Sequence, residues 1–252
     1  MAVSIIFRHF TVAAALGMAC AAANAAPTLI ELGKPLPRFD LLKASTHHYL
    51  RFMQSGDSNV PADIWTRTVR FEQGGVHITQ RWDGAAPPST RLLDSWFDRD
   101  TLRPRSHQRV SERDGKKTVE GFVFAADKIS GMADLADNTQ KNFTAASPEP
   151  TFNFETDIET LQTLPLAPGY EASINFYHPG GSTPPQRYTF KVTGSAVIAG
   201  PAGPVDCWVV TTDYNRPEMP VSTFWFAKGS QLMVRQEAQM PGGKKLIKAL
   251  ID

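Results

Sequence analysis

Apolar and polar residues alternate with a period of two along much of the chain. Segments 65–71 and 76–82 each alternate between a set rich in Trp, Val, Ile and Phe and a more polar set. Gly74-Gly75 separates the two segments, and alternating runs joined in this way are typical of a β-hairpin. The same pattern recurs over 108–124, with Asp114-Gly115 at its centre, and predicts a second hairpin.

The C-terminal fifth of the chain contains the clearest strand signals. Short runs rich in β-branched and aromatic residues are separated there by turn-forming segments, and the runs are 205–212, 221–227, 231–237 and 244–251. Segments 170–176 and 188–192 also place apolar side chains on one face. Short strands with frequent turn signals indicate an antiparallel sheet rather than alternating strands and helices.

One segment predicts a helix. Thr156 followed by Glu159 fits a capping box, in which both side chains accept hydrogen bonds from free backbone N–H groups of the first turn. Ile158 and Leu161 would share one face, and Leu164-Pro165 would end a helix of about nine residues. We therefore predict a mainly β fold: a single curved antiparallel sheet, half-barrel or barrel-like, with one short helix packed on it or plugging it. Residues 26–252 are expected to form a single β-rich domain.

The N-terminus has the three parts of a secretory signal. Arg8 precedes an apolar run over 10–23, and Ala23-Asn24-Ala25 supplies the small residues of a cleavage site. We expect residues 1–25 to be a signal peptide, cleaved after Ala25, and the protein to be periplasmic or otherwise exported. The apolar run is shorter than the roughly 20 residues of a membrane-spanning helix, so no transmembrane anchor is expected. Lipidation of Cys20 is the alternative, although Gly17 stands where lipoproteins carry a leucine.

The charge balance excludes one class of partner. The chain has 26 Lys and Arg and 25 Asp and Glu, and Arg8 is the only one of these within 1–25, so 25 of each sign remain. A neutral protein lacks the basic face that displaces counterions from nucleic acids, and we expect no nucleic-acid partner. Hydrophobic residues make up 42% of the chain, which is enough for a packed core.

The candidate chemistry is sparse. Cleavage would leave Cys207 as the one cysteine and therefore no internal disulfide, and Cys207 is either a small buried residue on a strand or a reactive thiol. No nucleophile-elbow, phosphate-binding or dinucleotide-binding motif is present. The remaining histidines lack metal-ligand spacing; they are His47, His48, His77, His107 and His178. We predict no catalytic residue, no metal and no cofactor.

Aromatic side chains are the remaining feature. Five tryptophans lie in or beside predicted strands, and such residues either pack the core or line a cavity for an apolar ligand. Segment 221–227 is apolar on both faces, so both faces need a cover, one of which would be the helix and the other a bound chain. The residues predicted to contact an apolar ligand are Trp96, Ile158, Leu161, Trp208, Phe224, Trp225 and Phe226.

Several motifs, in their order along the chain, resemble those of an exported bacterial family, domain of unknown function family 3108. The family's D-x-x-T-L-x-P turn matches 98–104, its Leu-Pro-Leu-x-x-Gly segment matches 164–169, and its Gly, short gap, Cys and aliphatic strand match 203–210. Its x-Phe-Trp and Leu-x-Val-Arg motifs match 223–226 and 232–235, so the resemblance covers about 46–250. This family has no established activity, and the resemblance therefore transfers no catalytic residue.

A looser similarity in fold links this pattern to the LolA/LolB lipoprotein carriers. The similarity implies an antiparallel half-barrel curled around a short helical plug, and fold alone is a weak guide to function. The residues by which those carriers hold lipoproteins are not identified in this sequence.

These observations support three functional hypotheses. The first is a periplasmic, non-enzymatic binding or carrier module for a lipid or another hydrophobic small molecule, with the helix as a lid. The second is an envelope interaction module with a solid core, whose edge strands or 179–185 loop would dock another envelope protein by strand addition. The third is an envelope hydrolase, which would require His47 or His107 to converge with an Asp or with Cys207.

Overall fold

The computed structural model describes residues 26–217 and 221–252, and the predicted signal peptide and Cys20 lie outside the described residues. Strands dominate this part of the chain: β1 Thr28–Ile30, β2 Ser45–Ser55, β3 Ser58–Glu72, β4 Gly75–Ala85, β5 Pro88–Asp98, β6 Pro104–Arg113, β7 Lys116–Phe124, β8 Lys128–Gly131, β9 Thr144–Ala146, β10 Phe152–Asn153, β11 Glu171–Tyr177, β12 Gln186–Gly200, β13 Gly203–Thr212, β14 Ser222–Ala227, β15 Met233–Met240 and β16 Lys244–Leu250. Helix α1 spans Asp157–Gln162, and short 3₁₀ turns occupy Phe39–Leu41, Phe154–Thr156 and Pro241–Gly243.

All the strands belong to one curved sheet that does not close. Their order is β1-β11-β12-β13-β14-β15-β16-β2-β3-β4-β5-β6-β7-β8-β9, and β10 also pairs with β11. Neighbours run antiparallel except where β1 and β10 pair with β11. The predicted fold, a single curved and mainly antiparallel sheet with one short helix, is confirmed.

Tight turns explain the register of the predicted hairpins. Glu72 pairs with Gly75, so Gln73 and Gly74 form a two-residue turn with φ of 50° and 70°. Asp114 and Gly115 connect β6 to β7 in the same way, with φ of 52° and 71°. Positive φ at both central positions is the geometry whose twist matches that of the flanking strands. The two hairpins predicted from alternation are therefore present, although the first turn lies one residue earlier than Gly74-Gly75, because Gly75 already belongs to β4.

The sheet curls until its two edges lie side by side. Phe122 of β7, Ile129 of β8 and Tyr177 of β11 form a small buried cluster that joins the last strands to the first. Nearby, the Thr151 hydroxyl donates to the carbonyl of Asn175 at 3.2 Å. These contacts seal the seam with side chains instead of a continuous hydrogen-bond ladder.

Segment 152–166 fills the interior of the curled sheet. Ile158, Leu161 and Leu164 are buried in the main apolar cluster, together with Phe224 and Phe226 of the wall. We call segment 152–166 the plug. Its burial explains why a six-residue helix is stable here, since isolated helices of this length are not.

The predicted capping box is wrong in its contacts. Thr156 precedes α1 but makes no side-chain cap, and its hydroxyl donates to the carbonyl of Asn153 at 3.0 Å. Glu159 instead forms an ion pair with Arg67 of β3, which draws its carboxylate away from the backbone. The helix also has six residues rather than about nine, because it ends at Gln162: the N–H groups of Thr163 and Leu164 bond three residues back, to the carbonyls of Thr160 and Leu161.

The two ends of the barrel differ. At one end, the buried side chains of Leu36, Leu42 and Leu102 cover the interior. The backbone N–H of Leu36 donates to Asp100 O, and that of Arg38 to Thr163 O, each at 2.8 Å. The other end carries every second strand connection: 56–57, 86–87, 114–115, 178–185, 213–221, of which 213–217 and 221 are described, and 241–243. We call this second end the mouth.

Candidate functional site

A pocket of about 470 Å³ opens at the mouth. The Phe154 and Tyr188 rings are almost fully buried, and their centroids lie 5.1 Å apart in an edge-to-face arrangement. His178 stacks on Phe154 with centroids 4.1 Å apart, and Tyr214 lies 6.0 Å from Tyr188. The remaining lining side chains are polar and surround this aromatic floor: Thr183, Gln186, Asn215 and Arg216. We call this the mouth pocket.

Each aromatic residue is held by a different local structure. Phe154 begins the 3₁₀ turn that Asn153 caps, since the Glu155 N–H donates to Asn153 Oδ1 at 3.0 Å. Tyr188 faces inward on β12, and its hydroxyl accepts from Gln186 Nε2 at 2.8 Å. Tyr214 has a φ of 52° in the connection after β13. Three segments far apart in sequence therefore build one concave surface.

A network of charges centres on Glu155, which follows Phe154 of the mouth pocket in the 3₁₀ turn. Glu155 Oε1 accepts from Arg91 Nη2 at 3.0 Å and from Arg109 Nη2 at 2.7 Å. These two arginines hold the pKa of Glu155 down at about 2, against the desolvation that would raise it. Arg109 also donates to Glu120 at 2.9 Å. Glu155 is therefore an ionised anchor that fixes the plug to β5 and β6.

A second anchor holds α1 to β3. Arg67 is only 3% exposed and forms a bidentate pair with Glu159, with Nε donating at 2.7 Å. Its Nη1 donates to Gln80 Oε1 at 2.8 Å, and Gln80 Nε2 donates to the Glu155 carbonyl at 2.6 Å. The guanidinium also lies 4.4 Å from the centroid of Trp65. All these groups are satisfied within the protein, which indicates a structural role.

Comparisons with known proteins bear on the family and the fold. The family model described as a protein of unknown function, DUF3108, matches residues 53–251. The chain belongs to the DUF3108 family. A comparison with curated proteins finds no match.

Two solved structures are similar to this DUF3108 chain. A β-barrel-like protein of domain of unknown function DUF1849 from Brucella abortus is 12% identical, with a TM-score of 0.54 over 82% of this chain and 95% of that one. A DUF1089 family protein from Pseudomonas aeruginosa is 11% identical, with a TM-score of 0.38 over 75% and 95%. The first likeness supports a barrel-like fold and nothing about a ligand.

The residues predicted to contact an apolar ligand do not form one surface. Ile158, Leu161, Phe224 and Phe226 pack against one another inside the barrel. Trp208 is half-buried on the inner side of β13, with Lys228 Nζ 4.7 Å from its ring centroid.

Trp96 and Trp225 lie on the outer face of the sheet. Trp96 stacks on His77 with ring centroids 4.2 Å apart, and Trp225 pairs across strands with Val209 and Arg235. The core therefore covers the inner face of segment 221–227, whereas the outer face is only partly covered.

Cys207 is buried and free, and burial raises the pKa of its thiol to about 11. Its recorded polar contact among the described residues is with the Val205 carbonyl, at 3.6 Å. A thiol that stays protonated at neutral pH is a poor nucleophile. The hydrolase hypothesis allowed His47 or His107 to converge with an Asp or with Cys207, and no contact between Cys207 and a histidine is formed among the described residues. His47 Nδ1 lies 3.8 Å from Asp252 Oδ1.

His107 is fully buried beside Ser95, whose Oγ lies 2.8 Å from His107 Nδ1. Burial lowers the pKa of His107 to about 3, so the ring is neutral. Both side chains have zero exposure, which denies a substrate access to the hydroxyl. Within 26–217 and 221–252, no three His, Cys, Asp or Glu side chains are placed to hold a metal ion. The helices in these ranges are also too short or too polar to span a membrane.

Sequence reasoning missed the mouth pocket residues. Tyr188 was expected only as an apolar strand position, and Phe154 lies two residues before the predicted helix cap. Tyr214 lies in a connection with no periodic pattern. A weak signal was available, because Phe152, Phe154 and Phe176 are aromatic residues close to predicted elements and form one cluster in the fold.

A second depression of about 460 Å³ lies on the outer face of β3–β6. Thr66, Arg81, Leu92 and Val110 follow one another across these strands in register and line it. We call it the outer groove. It is open, and its floor is a row of partly exposed side chains rather than buried rings.

Proposed function

We propose that this DUF3108 protein is an exported, non-enzymatic binding module that takes a small amphipathic ligand in the mouth pocket. The observation that carries the proposal is the aromatic floor of Phe154, Tyr188 and Tyr214 in a concave space of about 470 Å³. Ligand sites are typically concave and mainly apolar, with a few polar groups, and they occur in barrel mouths. The predicted signal peptide supports the proposed export to the periplasm.

The energetics favour an apolar ligand segment on this floor. Burying apolar surface contributes about 25 cal/mol per Å², before the cost of association is subtracted. Aromatic contacts add about 0.5–1.5 kcal/mol each beyond their area. The polar rim, which includes Gln186, Asn215 and Arg216, would remain in contact with water and with the polar end of the ligand.

The mouth is favoured over the interior because side chains already fill the interior. Leu161, Phe224 and Phe226 are fully buried in the same apolar cluster, so their surfaces are not accessible to a ligand. A ligand chain there would have to displace α1 and break the buried Arg67–Glu159 pair. The mouth pocket needs no such rearrangement.

The test is calorimetric titration of dodecanoate into the protein purified without detergent from its own cell envelope. Tyr214→Ser is expected to weaken binding by about tenfold or more, since tenfold corresponds to about 1.4 kcal/mol. Trp225→Ser is the matched control, because it removes an aromatic ring from the outer face. Equal affinity of Tyr214→Ser and the unmodified protein would contradict the proposal, as would the absence of binding to dodecanoate, dodecyl phosphate and dodecanol alike.

An envelope interaction module is the second candidate. The filled interior and the outer groove favour it, because Leu92 is 39% exposed and Val110 lies beside it in register. A photo-crosslinking residue at position 92 would then capture one defined envelope protein, while the same residue at the outward position 197 would not. Identical products from the two positions would count against this candidate.

A further inference from the structure

Two positive charges face each other inside the mouth. Lys248 of β16 and Arg51 of β2 are directly paired across their strands. Both positions belong to the inner set of their strands, which includes Tyr49 opposite Trp65. Directly opposed side chains have Cβ atoms about 4.5–5.5 Å apart, and like charges at such positions are destabilising. An arrangement of this kind is unfavourable unless a negative group compensates it.

Neither cation has a hydrogen-bonded counter-ion among the described residues. Arg51 forms an ion pair with Asp63, whose Oδ1 lies 3.5 Å from Nε, but both atoms are buried and neither has a hydrogen-bond partner among the described residues. Lys248 Nζ lies over the Trp65 ring, 4.7 Å from its centroid. Burial lowers the pKa of Lys248 to about 8 and also lowers that of Arg51, which fits cations that are incompletely compensated.

Trp82 supplies a third unpartnered donor. It is 8% exposed, and its indole Nε1 is buried with no acceptor among the described residues. Arg91 and Arg51 lie on the same ring, with Cζ atoms 5.1 Å and 5.9 Å from its centroid. A buried donor without a partner is costly, so native proteins rarely leave one unless a ligand or water supplies the acceptor.

The acidic groups nearby do not satisfy these donors. Glu155 Oε1 is shared between Arg91 and Arg109, which leaves Arg91 Nε buried and unpaired. Asp157 is the carboxylate with the largest effect on Lys248, yet its Oδ1 accepts from the Ile158 N–H at 2.8 Å, and it forms no ion pair with Lys248 among the described residues. An incoming anion would therefore gain donors without displacing a formed hydrogen bond to Lys248.

We propose that the mouth contains an anion-binding site for a carboxylate or phosphate group, built from Arg51, Trp82, Arg91 and Lys248. Guanidinium, ammonium and indole N–H groups together provide the charge-assisted and neutral donors that such oxygens accept. No residue of this set belongs to the lining of the mouth pocket.

The anion site adjoins the mouth pocket. Gln236 is paired with Lys248 across β15 and β16 and with Phe224 across β14 and β15. The Phe190 ring centroid lies 6.4 Å from that of Phe224 and 6.3 Å from that of Tyr214. The ligand class that fits both sites is an apolar chain or ring that ends in an anionic group. This assignment of the ligand rests on the proposed function, whereas the anion site itself stands on its own geometry.

The experiment titrates four probes into the protein purified without detergent: dodecanoate, dodecyl phosphate, dodecanol and inorganic phosphate. Lys248→Gln is expected to weaken the binding of both charged amphiphiles by about tenfold, or about 1.4 kcal/mol, and to leave the affinity for dodecanol unchanged. Lys248→Arg should retain binding. Whichever charged amphiphile binds more tightly identifies the head group.

Lys228→Gln is the matched control. Lys228 also lies 4.7 Å from a tryptophan ring centroid, that of Trp208, but it pairs with Asp206 at 2.9 Å near the closed end. Trp82→Phe keeps an aromatic ring and removes the indole N–H. It should weaken the binding of the charged probes as Lys248→Gln does. A thermal unfolding curve for each variant confirms that it folds.

The outcomes separate the two proposals. If dodecanol binds as well as dodecanoate and Lys248→Gln changes neither, the anion site is wrong and the mouth pocket stands. If inorganic phosphate binds, Lys248→Gln abolishes that binding and no amphiphile binds better than phosphate, the anion site stands and the proposed function is wrong.

Discussion

Arg67 connects the plug to the barrel wall through one buried side chain. It pairs with Glu159 of α1, bonds Gln80 of β4 and lies on Trp65 within its own strand. A buried ion pair of this kind is weak evidence for net stability, because desolvation offsets much of the attraction. It does define one position of the helix, since shifting α1 by one residue would leave both charges buried and unpaired.

Arg67→Met should therefore be strongly destabilising. It leaves the Glu159 carboxylate buried without a counter-ion, and removal of one partner of such a pair typically costs about 3–5 kcal/mol. The double variant with Glu159→Leu should recover most of that loss. Urea unfolding of the two single variants and the double variant measures the coupling, and strictly additive losses would show that the pair is not coupled.

Binding of an anionic ligand should depend on pH through Lys248. The pKa of this lysine is lowered to about 8, so its charge falls as the pH rises from 7 to 9. The groups that face it are Asp157, Glu155, Arg51 and Arg67. The two carboxyls, with pKa values of about 6 and 2, are largely ionised at both ends of this range.

Dodecanoate affinity should therefore be higher at pH 7 than at pH 9. Lys248→Arg should bind with little change over that range, because arginine keeps its charge. Isothermal titration at both pH values tests this, and a parallel decline in Lys248→Arg would assign the pH dependence to another group.

At the scale of elements, alternation predicted most of the strands and missed two long ones. The inner side of β5 carries Arg91 and Ser95 in alternation with Leu93 and Phe97, and that of β2 carries His47 and Arg51. Polar side chains on the interior face blur the period-two pattern, because that pattern assumes an apolar inside and a polar outside. The residues that hid these strands belong to the polar interior of the barrel.

The helix shows a different limit of sequence reasoning. The sequence Thr156-Asp-Ile-Glu159 satisfies the local requirements of a capping box. Arg67, 92 positions away from Glu159, competes for the carboxylate and forms the stronger, charge-assisted contact. Local patterns predict that a helix forms at this place, whereas the partners of its side chains depend on residues that only the folded sheet brings near.

Leu161→Ala separates a core role from a ligand-binding role. Leu161 is fully buried in α1, and such truncations cost about 2–5 kcal/mol through lost burial and a residual cavity. The loss should appear in urea unfolding, while dodecanoate affinity at the mouth stays unchanged in the folded variant. A folded Leu161→Ala protein that no longer binds dodecanoate would favour the ligand residues predicted from sequence.

At the scale of the whole molecule, the barrel is asymmetric. Leucines cover one end, whereas the mouth combines an aromatic pocket with cations that are incompletely hydrogen-bonded and an indole N–H that has no partner among the described residues. This site was not predictable from sequence, because its parts come from distant segments. Arg51 and Lys248 are almost 200 positions apart and become neighbours only because β16 pairs with β2. Family membership and the curved sheet, by contrast, were predictable from motif order and alternation.

Native mass spectrometry of the protein, purified without detergent from its own envelope, tests the central claim most directly. The account predicts one extra mass per chain that extracts into organic solvent as an anionic amphiphile. This mass should be lost in Tyr214→Ser and Lys248→Gln and kept in Trp225→Ser and Lys228→Gln. A ligand-free mass in the unmodified protein, unchanged after addition of dodecanoate or dodecyl phosphate, would contradict the account.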